Sequence, residues 1–203
     1  MPDTSQPAAT RQDRIVQATV AVLLEVGLRA ANTRAVTEKA GVGTGLLNHY
    51  FRWPELRAFA WTQIFEAVAQ GQFLSEADPQ TSLEQYFATA FIPGADKFWH
   101  LWTEAAELSA SDAAMKAAFG KAQTRLHQGL RDILAAGCRS GNWQLQNPQE
   151  TAVRLGALYD GLAGLLLSGA GDMDAKKAET HLRTAFEMEA IGLRHSGSLM
   201  PEQ

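Results

Sequence analysis

Two short helical stretches meet at a glycine. In "TRAVTEKAGVGTGLLNHYF", Thr33 to Phe51, three glycines fall within five positions, Gly41, Gly43 and Gly45. A dinucleotide loop needs G-x-G-x-x-G after a buried strand, and a P-loop needs G-K-[ST]; this segment is G-x-G-x-G and follows a helical pattern. The glycines therefore turn a corner. Gly41, free to take the left-handed conformation, closes a helix over Thr33–Ala40 that Asn32 caps, and a further helix runs from about Thr44 to Phe51. Two short helices joined by a tight turn describe a helix-turn-helix.

Sequence on both sides supports the same geometry. Ile15, Thr19, Val22 and Val26, with Ala18 and Leu23 beside them, recur at three- and four-residue spacing, and Gly27 ends that helix. Pro54 and Glu55 suit the first turn of a fourth helix reaching about Leu74. Asp78-Pro79 and Pro93-Gly94 break the chain, with a helix over Thr81–Phe91 between them. Later helices are predicted over Asp96–Ala110, Asp112–Gly137, Pro148–Ser168 and Asp174–Arg194. No segment alternates in the manner of a strand, so the fold class is all-α: a three-helix amino-terminal domain and a helical bundle. Residues 1–10 and 197–203 read as tails.

Val42 in the turn and Leu47 in the second short helix plug the small core, and Phe51 lies one turn beyond Leu47. Leu46, Asn48, His49 and Tyr50 fall to other faces. An amide, an imidazole and a phenol there can meet base edges and phosphates in a major groove. Charge is distributed to match. Net charge is −4 over 203 residues, yet residues 1–60 carry seven basic side chains against five acidic ones, which leaves −6 on the remainder. Such a chain presents its amino-terminal end to a polyanion and repels it elsewhere.

Cys138 is the single cysteine, so no intrachain disulfide forms, and a cytoplasmic setting is expected. The longest apolar run, Gly161 to Leu167, falls far short of the roughly 20 residues that span a bilayer, so no membrane partner is expected.

The segment from about Arg11 to Phe59 resembles the DNA-binding domain of TetR-type transcriptional regulators. Val26-Gly27, Ala40-Gly41-Val42, Gly45, Leu47, Tyr50-Phe51 and Leu56 carry the likeness. The stretches from Lys97 to Trp143 and Glu150 to Gly169 look like the regulatory domain of the BetI-like branch. This resemblance implies a DNA-binding domain over 11–56 and a ligand-binding and dimerisation domain over 57–196. It implies contacts to a double-stranded operator from Thr44, Gly45, Leu46, Asn48, His49 and Tyr50, with Arg34 and Arg52 on phosphates. Three departures stand out. Gly43 replaces the usual serine, which hands the cap of the recognition helix to Thr44. Thr37 occupies a position usually small, and the phosphate-binding lysine of helix four is missing beside Trp53-Pro54.

The resemblance further implies an effector cavity in the body. Trp61, Phe65, Phe87, Phe91, Phe98, Trp99 and Trp102 are its candidate lining, with Glu104 or Glu107 near enough in sequence to help cage a cation such as a quaternary ammonium. In the helix from Pro148, Leu158, Leu162 and Leu165 run beside a small-residue stripe of Gly161, Gly164 and Ser168. With Leu182 and Phe186 of the last helix they are expected to form a four-helix homodimer interface. His100 and His127 lack partners at metal-ligand spacing, no catalytic constellation can be argued, and neither cofactor nor metal is expected. The reading is a ligand-responsive repressor rather than an enzyme. Its rival is an all-α small-molecule-binding protein or enzyme whose helix-turn-helix is only structural.

Overall fold

A computed structural model describes residues 10–73, 78–169 and 171–196, the last six by backbone alone. Of the tails predicted at 1–10 and 197–203, residues 1–9 and 197–203 lie outside the described residues, while Thr10 is no tail residue but the cap of the first helix. Nine helices, and no strand, are present among the described residues: α1 (Arg11–Ala30), α2 (Thr33–Ala40), α3 (Thr44–Tyr50), α4 (Trp53–Gln72), α5 (Pro79–Ala90), α6 (Asp96–Leu108), α7 (Ala113–Ser140), α8 (Pro148–Ser168) and α9 (Ala175–Ser196).

The chain condenses into two compact units. One takes the chain up to Phe65 together with His100–Gly120; the other takes Glu66–Trp99 and the chain from Lys121 onward. The first unit therefore reaches beyond the 11–56 segment that carries the sequence motif. In it Ile15, Leu23, Leu28, Val36, Leu47, Leu56, Trp61, Leu101 and Met115 are fully buried. In the second, Leu83, Tyr86, Phe87, Leu130, Leu134, Trp143, Leu155, Leu162 and Leu182 form one apolar cluster.

Capping explains where most helices begin. Thr10 and Asp13 make a reciprocal capping box at α1. Asp78 caps α5 and Asn147 caps α8, each followed by a proline in the first turn. Asp112 accepts the Met115 N–H at 2.9 Å and so opens α7.

Two glycines behave differently from the sequence expectation. Gly27 does break the helical path, at φ +80°, but helical geometry resumes through Ala30 because buried Leu28 anchors a further turn. Val26, expected in the core, is instead exposed just before that break. Gly137 does not end α7. A Cβ at Gly137 would stand 1.9 Å from the Trp143 ring, so this glycine is there for close packing, and Gly141 at φ +80° terminates the helix after Ser140.

Candidate nucleic-acid interface and aromatic cluster

The first unit presents α2 and α3. Asn32 Oδ1 accepts the Ala35 N–H at 3.0 Å and starts α2. Gly41 ends it in the left-handed region at φ +65°, with no atom within 4 Å of where a Cβ would stand, so backbone conformation rather than crowding selects glycine. Thr37 is buried, and its hydroxyl is satisfied by donating to the Arg34 carbonyl at 2.9 Å. Thr44 does not cap α3. Gly43 occupies the cap position without a side-chain acceptor, and Thr44 is the first helical residue.

Leu47 is fully buried, while Val42 just before α3 and Phe51 just after it are half-buried, so Leu47 and the two flanks hold the helix to the core. Thr44, Gly45, Asn48 and His49 are exposed, and Leu46 and Tyr50 are half-buried. The rings of His49 and Tyr50 meet edge to face, 5.1 Å between centroids. The seven-residue helix thus offers a hydroxyl, an amide and an imidazole from its exposed faces and a phenol that is half-buried. Arg34 is exposed but bonded to Glu38 at 2.8 Å along α2, and Lys39 is paired with Glu25 of α1. Arg52 is exposed, and its carbonyl accepts the Leu56 N–H at 2.9 Å at the start of α4. Tryptophan takes the place beside it: the Arg57 guanidinium lies 5.9 Å from the Trp53 ring centre.

The candidate aromatic lining divides between the two units. Trp61 and Phe65 are buried in the first, stacked with Trp102 and joined by Phe119, which sequence reasoning did not single out; ring centroids there lie 4.4–6.0 Å apart. The Trp61 indole N–H donates to the Leu101 carbonyl at 3.1 Å. In the second unit Phe91 stacks on Tyr159 at 5.2 Å and tilts against Trp99 at 5.9 Å. The Trp99 indole N–H donates to the Tyr159 hydroxyl at 2.9 Å. Tyr159, also missed from sequence because it stood alone in a leucine stripe, closes that cluster. Its phenol is pushed up chiefly by burial, with the neighbouring Asp160 adding to the shift. Desolvation likewise pushes the Asp160 carboxyl up, with His127 opposing. Phe87 is buried under the Arg183 guanidinium and beside Phe186, and Phe98 is half-buried under Lys97. Glu104 and Glu107 are committed to Leu28 and Arg29 in the first unit, which corrects their assignment to a cation cage.

Among the interface candidates, Leu162 and Leu182 are buried within the chain and offer no surface of their own to a partner; Phe186 packs on Trp143 and Leu158 is half-buried. Gly161, Gly164, Leu165 and Ser168 are exposed on one face of α8, where Val153 and Ala157 continue the line. No described helix is long and apolar enough to cross a membrane.

Residues 15–52 match the family described as bacterial regulatory proteins, tetR family, and residues 79–190 match the family described as BetI-type transcriptional repressor, C-terminal. The chain is 31% identical over 80 residues to the HTH-type transcriptional regulator BetI of Proteus mirabilis, a match spanning 36% of this chain and 40% of that one. It is 28% identical over 165 residues to BetI of Escherichia coli, spanning 75% and 80%. The fold is similar to that of a transcriptional regulator from Rhodococcus sp. Rha1, at a TM-score of 0.73 and 22% identity over 90% of this chain and 97% of that one. It is similar also to a regulator from Saccharomonospora viridis solved in complex with choline, at 0.73 and 19%, over 87% and 95%.

Proposed function

Because the chain belongs to the TetR family, with a carboxy-terminal domain of the BetI type, we propose that it is a DNA-binding, one-component transcriptional regulator: a repressor that sits as a homodimer on a palindromic operator and leaves it when an effector binds. The observation that carries this reading is the division of α3, with Leu47 buried while Thr44, Asn48 and His49 are exposed and Tyr50 is half-exposed. A helix held in this way can enter a major groove with its other faces, where Asn reads adenine and Leu46 packs on a thymine methyl. Arg34 and Arg52 hold phosphates, which set register and carry no sequence information. Residues 11–56 are the DNA-reading segment, and the effector and dimer surfaces belong to 57–196.

For the effector we favour a quaternary ammonium. Phe91, Trp99 and Tyr159 bring aromatic faces together beside Asp160, and ring faces attract a cation that cannot donate hydrogen bonds. The S. viridis regulator that binds choline has the same fold. The effector acts only through a difference in its affinity for the operator-binding and released states.

Selection of genomic fragments by the purified protein at about 150 mM salt, where nonspecific phosphate attraction is weak, tests the reading. The wild type is expected to enrich a palindromic site and Tyr50→Ala to lose that enrichment while keeping its melting temperature. A wild-type protein that enriches nothing favours the rival, a ligand-binding protein with a purely structural helix-turn-helix.

A further inference from the structure

The exit from α1 is held by carboxylates 76 and 78 residues further along the chain. Gly27 breaks the helix at φ +80°, which leaves the Leu28 N–H without a helical acceptor, and Glu104 Oε2 of α6 takes it at 2.6 Å. The positive φ is what selects glycine here, and a Cβ on residue 27 would stand 2.9 Å from that same oxygen, so a side chain there would push the flexible Glu104 carboxylate aside. Arg29 pairs with Glu107, one turn beyond Glu104 on α6. Leu28 and Ala31 are buried, and Asn32 caps α2, so the few residues from Gly27 to Asn32 lead from the Glu104 carboxylate to the start of the helix-turn-helix. The two bonds differ in weight. Arg29–Glu107 is largely exposed and contributes little, whereas a carboxylate on a part-buried backbone N–H is a strong, charge-assisted bond. A cleft of about 160 Å³, bordered by Arg57, Leu108 and Ser111, opens beside Glu104, so the carboxylate has room to move away.

Resting on the reading of α3 as a DNA-recognition helix, we propose that Glu104 is a positioning residue for operator recognition: its grip on the Leu28 N–H holds the end of α1, and with it α2 and α3, in the register that lets α3 read bases.

The test compares wild type, Glu104→Ala and Glu104→Gln at a temperature where all are folded by circular dichroism, and measures affinity for the selected operator and for random-sequence duplex of equal length. A residue that only stabilises the fold would lower the melting temperature and leave the operator-to-random ratio alone. A positioning residue lowers the ratio itself, because random binding rests on phosphate attraction that needs no register. The expected result is a fall of about tenfold or more in that ratio for Glu104→Ala, with Glu104→Gln, which keeps an oxygen acceptor without the charge, lying between. If Glu104→Ala fails to fold, Glu104→Gln decides alone. Ratios equal to wild type in the folded variants overturn the proposal. A wild-type ratio near one overturns the recognition reading and this proposal with it.

Discussion

Arg34 and Glu38 stand one turn apart on α2 and meet at 2.8 Å, both well exposed. The guanidinium that should hold a phosphate is thus already partnered by a carboxylate of its own helix. An exposed pair of this kind contributes only about 0.3–0.5 kcal/mol to the fold, so removing the acid costs little stability. Glu38→Gln is therefore expected to raise operator affinity several-fold and to steepen the dependence of log affinity on log salt by about one, measured in binding titrations between about 50 and 200 mM salt. An unchanged slope would take Arg34 off the phosphate backbone. Much at this scale was legible beforehand: Asn32 as cap, Gly41 as left-handed terminator and Leu47 as core plug all follow from neighbours within four residues. Thr44 misled because a hydroxyl beside a glycine invites a cap, while Gly43 supplies the extended backbone that position requires. The pairing of Lys39 with Glu25, 14 residues away, lay beyond any local pattern.

At the scale of elements, the start of α7 carries a joint that sequence spacing concealed. Asp112 caps the helix through Met115 and also accepts from Arg57 of α4 at 2.8 Å, with its side chain only 12% exposed. The Met115 N–H holds its carboxyl below the usual range, burial opposes that, and Arg57 adds to the lowering. A carboxyl depressed in the folded state lends stability above its unfolded value, about 3.9, and that contribution is lost as pH falls through the folded value. Asp112→Ala removes a cap and leaves a largely buried guanidinium, whose Nε already finds no acceptor among the described residues, without its charge partner. A loss of about 2–4 kcal/mol at pH 7 is expected in urea unfolding, with the gap to wild type narrowing below about pH 4. A gap independent of pH would show that the charge is irrelevant. Helix boundaries read well where Pro announces them, as at α8, but Asp78-Pro79, read as a break before a helix from Thr81, instead caps and opens α5. They read poorly where glycine served packing instead, as under Trp143 at Gly137, because the ring folds back onto the helix from the loop just after it and the sequence does not show that return.

For the whole molecule, all-α architecture was legible because every segment carried helical spacing, whereas the partition of the aromatics was not. Trp61, Phe65 and Trp102 belong with one core, and Phe91, Trp99 and Tyr159 with the other, and aromatic spacing along a helix is the same in both cases. The proposed dimer interface turns on α8. Gly161 and Gly164 are exposed and have no atom of the described residues within 4 Å of an added Cβ, so nothing among those residues requires glycine there, and each lowers helix stability by about 1 kcal/mol relative to Ala. Gly161→Leu is accordingly expected to leave the single chain at least as stable and to shift the protein toward monomer in sedimentation, since a partner helix loses its close approach. A variant that stays dimeric places the interface elsewhere. The carboxylates bound to Arg34 and Lys39 bear finally on time as well as on affinity. With those two cations paired, the proposed reading head would displace fewer counterions on arbitrary sequence, and so would hold such DNA more loosely and hop along it faster. Residence then depends on base contacts made by α3, and the search for an operator among genomic decoys becomes fast in its wandering and selective in where it stops.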